Sequence, residues 1–466
     1  MGTGLTIAVA GASGFVGRHL LARLSRAHDV IALSRSQRED SRPRVRWRRC
    51  DLFSLLQAEE ALAGADVGVY LTHSMMPSAR LTQGRFEDMD LILADNFARA
   101  AQKAGLRQII YVGGILPEVG DLSPHLRSRR EVERALGAHG VPVTTLRAGV
   151  VIGAGGTSFG LLRRLVARSP VLLCPPWSQR RTQPISIGDI TALIDGCLGE
   201  AWALGETFDV AGPDVVTYQE LLEATADALG LRRPVVSLPV SPPLRVVSAG
   251  AARISSTPHE LAGPLVESLQ HDMLPGDLRL QERLGLPGVG LPAALREALS
   301  APLPPLPTRS AEAPRPRRLR NTVRSVQRLP LPGGCDADWV GQEYMRWLPL
   351  GVFWPLLRVE VDGSRCRFFT RLWPLPLLEL THAPSRSMPD RVLFYVTGGV
   401  LAASDNPRAR LEFRCILDDE AIITAIHDFV PRLPWPVYTV SQAQAHLYVM
   451  FRFGRHLRRQ PAARGG

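Results

Sequence analysis

An apolar run from Leu5 to Ala10 leads directly into Gly11-Ala12-Ser13-Gly14-Phe15-Val16-Gly17, and this junction constrains the fold more than any other stretch of the chain. An amphipathic stretch from Phe15 to Arg26 follows it. Three glycines between a strand and a helix have separate duties. Gly11 permits a tight turn, Gly14 lets main chain approach a diphosphate with no Cβ in the way, and Gly17 lets helix and strand pack closely. The free N–H groups of the helix start then face phosphate oxygens. Gly11, Ser13, Gly14, Phe15, Val16 and Gly17 are therefore the expected contacts of a bound dinucleotide.

Further short apolar runs follow at Val30–Leu33, Val45–Trp47, Val67–Leu71, Gln108–Val112 and Val143–Leu146. Helical patterns at Phe86–Ala104 and Leu126–Ala138 separate the later ones. Strands alternating with helices predict βαβ units, hence an α/β fold with a Rossmann-like, doubly wound parallel sheet. After Leu146 the pattern is mixed, with strands at Pro184–Ile187 and Thr207–Val210, helices at Ile190–Leu198 and Tyr218–Leu229, and a helix-prone segment from Leu244 to Leu274. This is the pattern of a substrate lobe. Residues 1–300 form the first expected domain. Residues 301–320, rich in proline and arginine, form a linker. Residues 321–466 form a smaller α+β domain with strands at Leu357–Phe369, Arg391–Val396, Arg410–Leu417 and Ala421–Phe429, then a helix at Ser441–Leu457.

The end of the second strand selects between dinucleotides. A carboxylate there accepts the ribose 2′-hydroxyl of NAD, and arginine accommodates a 2′-phosphate. The chain has Ser34-Arg35, with Arg38 close behind and Arg18 just after the last glycine, so NADP(H) is favoured over NAD(H). Asp51-Leu52 closes the third strand, where the carboxylate either meets the adenine amino group or caps the next helix. Leu71 and Gly113 end later strands and are expected to border the coenzyme.

These residues resemble an extended, atypical short-chain dehydrogenase/reductase. Asp51-Leu52, Leu146-Arg147-Ala148-Gly149 and Pro184-Ile185-Ser186-Ile187-Gly188-Asp189 stand where that superfamily has counterparts. Closer still is a bacterial subgroup of NAD(P)H-binding proteins related to the accessory nucleotide-binding subunit of respiratory complex I. Its signatures are Tyr70-Leu71-Thr72-His73-Ser74-Met75, Tyr111-Val112-Gly113-Gly114, Leu126-Arg127-Ser128-Arg129, Pro142-Val143-Thr144-Thr145-Leu146-Arg147, Val151-Ile152-Gly153 and Pro175-Pro176-Trp177. Members of the subgroup often carry an appended C-terminal domain of unassigned role, the place residues 321–466 occupy.

The resemblance implies a serine, and a tyrosine four residues before a lysine, as catalytic groups. Here Gly113-Gly114 replaces the serine, and His125 and Arg129 take the tyrosine and lysine positions. Lys103, the one lysine of the chain, lies on an earlier helix. The standard triad is absent. His125 is either an acid/base, because an imidazole titrates in the useful range, or a polar residue at a helix start. Arg129 would hold ribose or phosphate, and His73 is a further candidate at the sheet edge where ligands bind. Trp177 and Gln183 are candidates for the cleft wall.

The 466 residues carry 55 Lys+Arg against 44 Asp+Glu, a net charge of +11, which suits an anionic ligand without choosing one. Six scattered cysteines with no CxxC pair speak against a disulfide framework or a zinc site, and no metal is expected. No apolar stretch reaches the ~18 residues of a membrane span, and the start lacks the marks of a signal peptide, so a cytoplasmic protein is expected. No nucleic-acid-binding signature occurs. Arg315, Arg317, Arg318 and Arg320, with Arg452, Arg455, Arg458 and Arg459 beside Tyr448, Phe451 and Phe453, allow a peripheral membrane contact. Ile426-His427-Asp428-Phe429 and Pro434-Trp435-Pro436 are candidates to line an apolar cavity. The expected activity is hydride transfer between NADP(H) and a small apolar carbonyl or quinone-like substrate. The alternative is a non-catalytic protein that senses NADP(H) or holds it as a structural ligand.

Overall fold

The computed structural model describes residues 4–73, 80–117, 122–256, 258, 263, 266–267, 269–309, 322–351, 357–371, 373–403 and 408–460. Ser74 and Met75, and the linker arginines Arg315, Arg317, Arg318 and Arg320, lie outside the described residues. The chain divides into two compact units, one of residues 1–75 and 94–313, the other of residues 76–93 and 314–466.

In chain order the elements that matter here are β1 (Thr6–Ala10), α1 (Phe15–Leu24), β2 (Asp29–Ser34), β3 (Val45–Arg49), α2 (Leu55–Leu62), β4 (Val67–Tyr70), β5 (Leu81–Gln83), α3 (Phe86–Ala104), β6 (Gln108–Gly114), α4 (Pro124–Gly137), β7 (Val143–Ala148) and α5 (Thr157–Arg168). The first unit is built on a seven-stranded sheet in the order Thr207–Val210, β7, β6, β4, β1, β2, β3. Every neighbouring pair in it is parallel. Its central strands β1, β2 and β4 are buried, mostly apolar runs, as expected where helices cover both faces. The chain winds outward from β1 to β3, then crosses to β4 on the other side. The crevice between β1 and β4, beyond their C-terminal ends, is thus the switch point where such sheets bind ligands.

The helix-prone segment Leu244–Leu274 lies partly outside the described residues. Its first part, Leu244–Ser255, stops at Ser256 in the left-handed region, φ 51°. Met273 instead forms an isolated bridge with Thr182.

The second unit is an eight-stranded sheet in the order Leu357–Asp362, Arg365–Thr370, Trp373–His382, Arg391–Gly398, Arg410–Ile416, Ala421–Phe429, Val323–Pro330, β5. It is antiparallel except for the last pair. The helices Ala337–Gly351 and Gln442–Leu457 pack Val340, Tyr344, Leu348, Met450 and Phe453 against Leu411, Phe413 and Ile422. The sequence boundaries assign residues 76–93 to the first domain, yet they group with the second unit. The reason is main-chain pairing, because Leu81–Gln83 lies parallel to Val323–Ser325. Arg328 also donates to Asp88 at 2.8 Å. The expected strand Leu357–Phe369 is a hairpin of two.

One sheet face of this unit buries charge. Glu412 accepts from Arg391 and Arg414 at 2.8 and 2.6 Å, its other oxygen lies 2.9 Å from His427 Nε2, and all but Arg391 are about 1% exposed. Burial raises the Glu412 carboxyl, but the Arg414, Arg391 and His427 partners pull it well below the usual range. Burial, aided by Arg410, pushes His427 down to about 3.

Removing the carboxylate charge strands buried guanidinium groups. Glu412→Gln should therefore cost about 3–5 kcal/mol in urea unfolding, while Glu360→Gln, on the exposed pair with Arg358, should cost under about 1 kcal/mol. Both folded pKa values lie below their unfolded ones, so both groups add stability at neutral pH that acid removes. Thermal scans should show the melting temperature falling below about pH 6.5 as His427 is forced to charge, and further below about pH 4.3 as Glu412 protonates.

Candidate functional site

The glycine junction takes the shape its sequence requires. Gly11 has φ +82°, and a Cβ there would sit 2.8 Å from the Leu71 carbonyl oxygen. A Cβ on Gly17 would sit 2.7 Å from Ala12 Cα, so α1 closes on β1 only because that atom is missing. Gly14 is the extended N-cap of α1 and supplies no side-chain cap, which leaves the first-turn amides available to an anion. A Cβ on exposed Gly14 would meet only the Gly11 carbonyl, at 3.1 Å. Ser13, Phe15 and Val16 are half-buried on this loop, and Phe15 and Val16 pack on the sheet core together with Leu71. These features fit a dinucleotide: the cradle is one that side chains would fill, and its donors face outward.

At the tip of β2, Arg35 is exposed. Arg38 lies over the Trp47 ring at 5.7 Å. Asp51 makes a turn, since its Oδ1 accepts from the Phe53 amide at 3.2 Å, and its own amide donates to Gln57 Oε1 at 3.0 Å. That carboxylate closes a local turn, while Ser54 is the N-cap residue of α2. The Leu52 carbonyl accepts from Asn96 at 2.8 Å.

The second cluster forms where β6 ends. Gly113 and Gly114 finish the strand, and a Cβ on Gly114 would lie 3.9 Å from Arg129 Cγ. Ser123 caps α4 by accepting from the Leu126 amide, and Pro124 takes the first helical position. His125 and Arg129, four apart, therefore share one face of α4. The Arg129 guanidinium is buried and hydrogen-bonds the His73 ring, while the Arg129 carbonyl accepts from the Tyr111 hydroxyl at 3.4 Å. A guanidinium only donates, so the His73 nitrogen it meets is an acceptor and that imidazole is neutral. Desolvation by the surrounding protein, with Arg129 and His125 adding to it, holds His73 well below its ordinary range. Burial, then Arg129, pushes His125 down to about 3. Of the two roles left open for His125, burial and then the Arg129 guanidinium disfavour an imidazolium near neutral pH.

Other candidates stand apart. Lys103 pairs with Glu59 at 2.5 Å on the surface. Gln183 donates to the Gly212 carbonyl at 2.6 Å, a structural duty, and Trp177 is half-buried in a short 3-10 turn. His427 belongs to the buried Glu412 cluster, and Trp435 lies edge-on to Tyr438 at 5.6 Å. Phe453 is a core residue, whereas Tyr448 and Phe451 are exposed beneath Arg452 and Arg455. A cavity of about 550 Å³ opens beside Gly155, Thr157, Arg163 and Leu303, away from the two histidines. The apolar wall beside α4 was not legible in the sequence: Ile115, Leu126 and Met273 pack together, and Met273 arrives from a segment 147 residues beyond Leu126.

A family model described as NAD(P)H-binding matches residues 11–164. The chain is 28% identical over 300 residues to a ceramide reductase of Caulobacter vibrioides, covering 59% of this chain and 88% of that one. It is 24% identical over 280 residues to the mitochondrial NADH dehydrogenase (ubiquinone) 1 alpha subcomplex subunit 9 of Arabidopsis thaliana, covering 57% and 68%. It carries an atypical NAD(P)-binding domain of the short-chain dehydrogenase/reductase type. A match to the auxiliary protein GraX of Staphylococcus aureus, 29% identical over 141 residues, covers 30% of this chain and only 42% of GraX. The dehydrogenase/reductase domain also shares its fold with a nucleoside-diphosphate-sugar epimerase of Staphylococcus aureus, at TM-score 0.50 and 18% identity over 63% of this chain and all of that one.

Gly14→Ala separates binding from folding. The added methyl meets one carbonyl at 3.1 Å and otherwise enters open space beside the uncapped amides of α1. The thermal midpoint should move by no more than a few degrees, while calorimetric affinity for NADPH falls at least about tenfold.

Proposed function

We propose that this protein is an NADP(H)-dependent oxidoreductase acting on a small apolar carbonyl or quinone-like compound at the His73, His125 and Arg129 site. The observation that carries the proposal is the buried Arg129 guanidinium beside the end of β6, a permanent positive charge where the related enzymes have lysine. When bound, the coenzyme supplies a hydride; Gly11, Ser13, Gly14, Phe15, Val16 and Gly17 would hold its diphosphate, Arg35 its 2′-phosphate, and Leu71 and Gly113 would border it. Arg129 would stabilise negative charge gathering on the substrate oxygen. His125, held neutral, would donate a hydrogen bond through its ring N–H and would not release a proton as an imidazolium. Water would complete protonation. A quinone-like oxygen suits such a site, because its reduced form spreads charge over a ring and asks little of an acid. Ile115, Leu126 and Met273 offer the apolar surface. The similarity to a ceramide reductase adds weight to a reductase over an epimerase.

The second possibility is a protein that binds NADP(H) without turnover. The observation in its favour is that neither imidazole titrates near neutral pH, so the usual proton relay has no counterpart.

Steady NADPH consumption with a panel of quinones and carbonyls distinguishes the two, and coenzyme binding without turnover across the panel would favour the sensor. For the enzyme, Arg129→Met should lower kcat/KM by about 10²–10³-fold. The wild-type pH profile should show no limb from His125 between pH 5 and 9, because a group near 3 stays neutral throughout. Arg35→Asp should weaken NADPH at least about tenfold more than NADH. Equal weakening would remove the 2′-phosphate role.

A further inference from the structure

The segment Ala301-Pro302-Leu303-Pro304-Pro305-Leu306-Pro307-Thr308-Arg309 has the composition of a spacer, but it is docked on the first unit. Leu303 fills the space beside Gly155, where any Cβ would overlap it. Leu306 packs against the same core cluster as Phe15, Val16 and Leu71, the residues of the glycine junction and the β4 edge. The chain then meets the loop after β2. Arg38 donates to the Pro307 carbonyl at 2.8 Å, the Glu39 amide donates to the Thr308 carbonyl at 3.3 Å, and Arg38 and Arg309 form an antiparallel bridge.

Directly opposed residues of such a bridge send their side chains to the same side, and like charges so placed repel. Arg38 and Arg309 are such a pair. Arg18, one residue past Gly17, adds a third guanidinium within electrostatic reach of Arg38. Among the described residues none of the three has a carboxylate partner. Asp40 does not serve, because it holds the Arg42 guanidinium and the Trp47 indole at 2.6–2.9 Å. The Nε atoms of Arg18 and Arg38 are buried without a hydrogen-bond acceptor among the described residues. Burial, then Arg309 and Arg18, lower the Arg38 pKa, which is the direction expected where positive charge is unbalanced. Three guanidinium groups, with two buried donors lacking acceptors and no counter-charge among the described residues, form a site for a doubly charged oxyanion.

We propose that Arg309, contributed by the segment joining the two units, completes with Arg18 and Arg38, alongside Arg35, the clamp for the 2′-phosphate of NADP(H). This deepens the coenzyme assignment above and rests on it. It makes the segment a specificity element: the coenzyme with the extra phosphate holds the chain at Arg309, and the coenzyme without it leaves three cations facing one another.

The test uses the full chain and fluorescence titration with NADPH and NADH, repeated for Arg309→Ala, Arg309→Glu and Arg309→Lys. Arg309 is exposed, so the fold should survive, and thermal unfolding checks that it does. Arg309→Ala should raise the NADPH Kd about tenfold and the NADH Kd less than twofold. Arg309→Glu should do more, and Arg309→Lys should recover most of the loss. Inorganic phosphate at millimolar concentration should compete with NADPH and not with NADH. If wild type prefers NADPH and Arg309→Ala matches it, or loses both coenzymes equally, the role of Arg309 is overturned while the nucleotide site stands. If inorganic phosphate binds as tightly as 2′,5′-ADP, the arginines form a general anion site and the clamp is overturned. A wild type that binds neither coenzyme overturns the coenzyme assignment and this proposal together.

Discussion

The close approach of α1 to β1 is the contact on which the first unit depends. It exists because two Cβ atoms are missing. At Gly17 a methyl would meet Ala12 Cα, and at Gly11 it would meet the Leu71 carbonyl. With both absent, the helix starts directly at the end of the strand, and its uncapped amides face the β1/β4 crevice. A packing constraint and an anion cradle are thus one piece of local geometry. The βαβ series that follows repeats the layer around it, and Phe15, Val16 and Leu71 fix the loop to the core from above.

Arginine then does most of the electrostatic work in both units, but in different ways. In the second unit Arg391, Arg410 and Arg414 surround Glu412, and the cluster is a matter of folding. In the first, Arg129 lies against His73 beside His125 and changes what histidine can do. A lysine in that place can be tuned and can lose its proton; a guanidinium keeps its charge and keeps its neighbours neutral. The chemistry proposed for the sheet edge is accordingly fixed-charge stabilisation in place of proton relay.

The second unit shows how main-chain pairing can override sequence order. β5, only three residues long, leaves the series of the first unit and adds to the edge of the antiparallel sheet by pairing with Val323–Ser325. Nothing in Leu81-Thr82-Gln83 announces this, because an edge strand of that length has no periodicity to detect. Its partner Val323–Pro330 is equally obscure. Its buried Arg324 breaks the apolar alternation that would mark it as a strand.

The sequence by itself determined the glycine junction, the parallel sheet, the helices Phe86–Ala104 and Gln442–Leu457 to within a residue or so, and the loss of the serine, tyrosine and lysine. Each is a local property: a missing Cβ, an apolar period or a residue type at a fixed offset. Tertiary structure alone decided the placement of Arg129 against His73 beside His125, the apolar wall that brings Met273 to Leu126, the grouping of residues 76–93 with the second unit, and the docking of Leu303, Leu306 and Arg309. Each of these depends on groups far apart in the chain. Desolvation, charge proximity and strand pairing act through space, and a one-dimensional pattern carries no distance between residues that folding brings together.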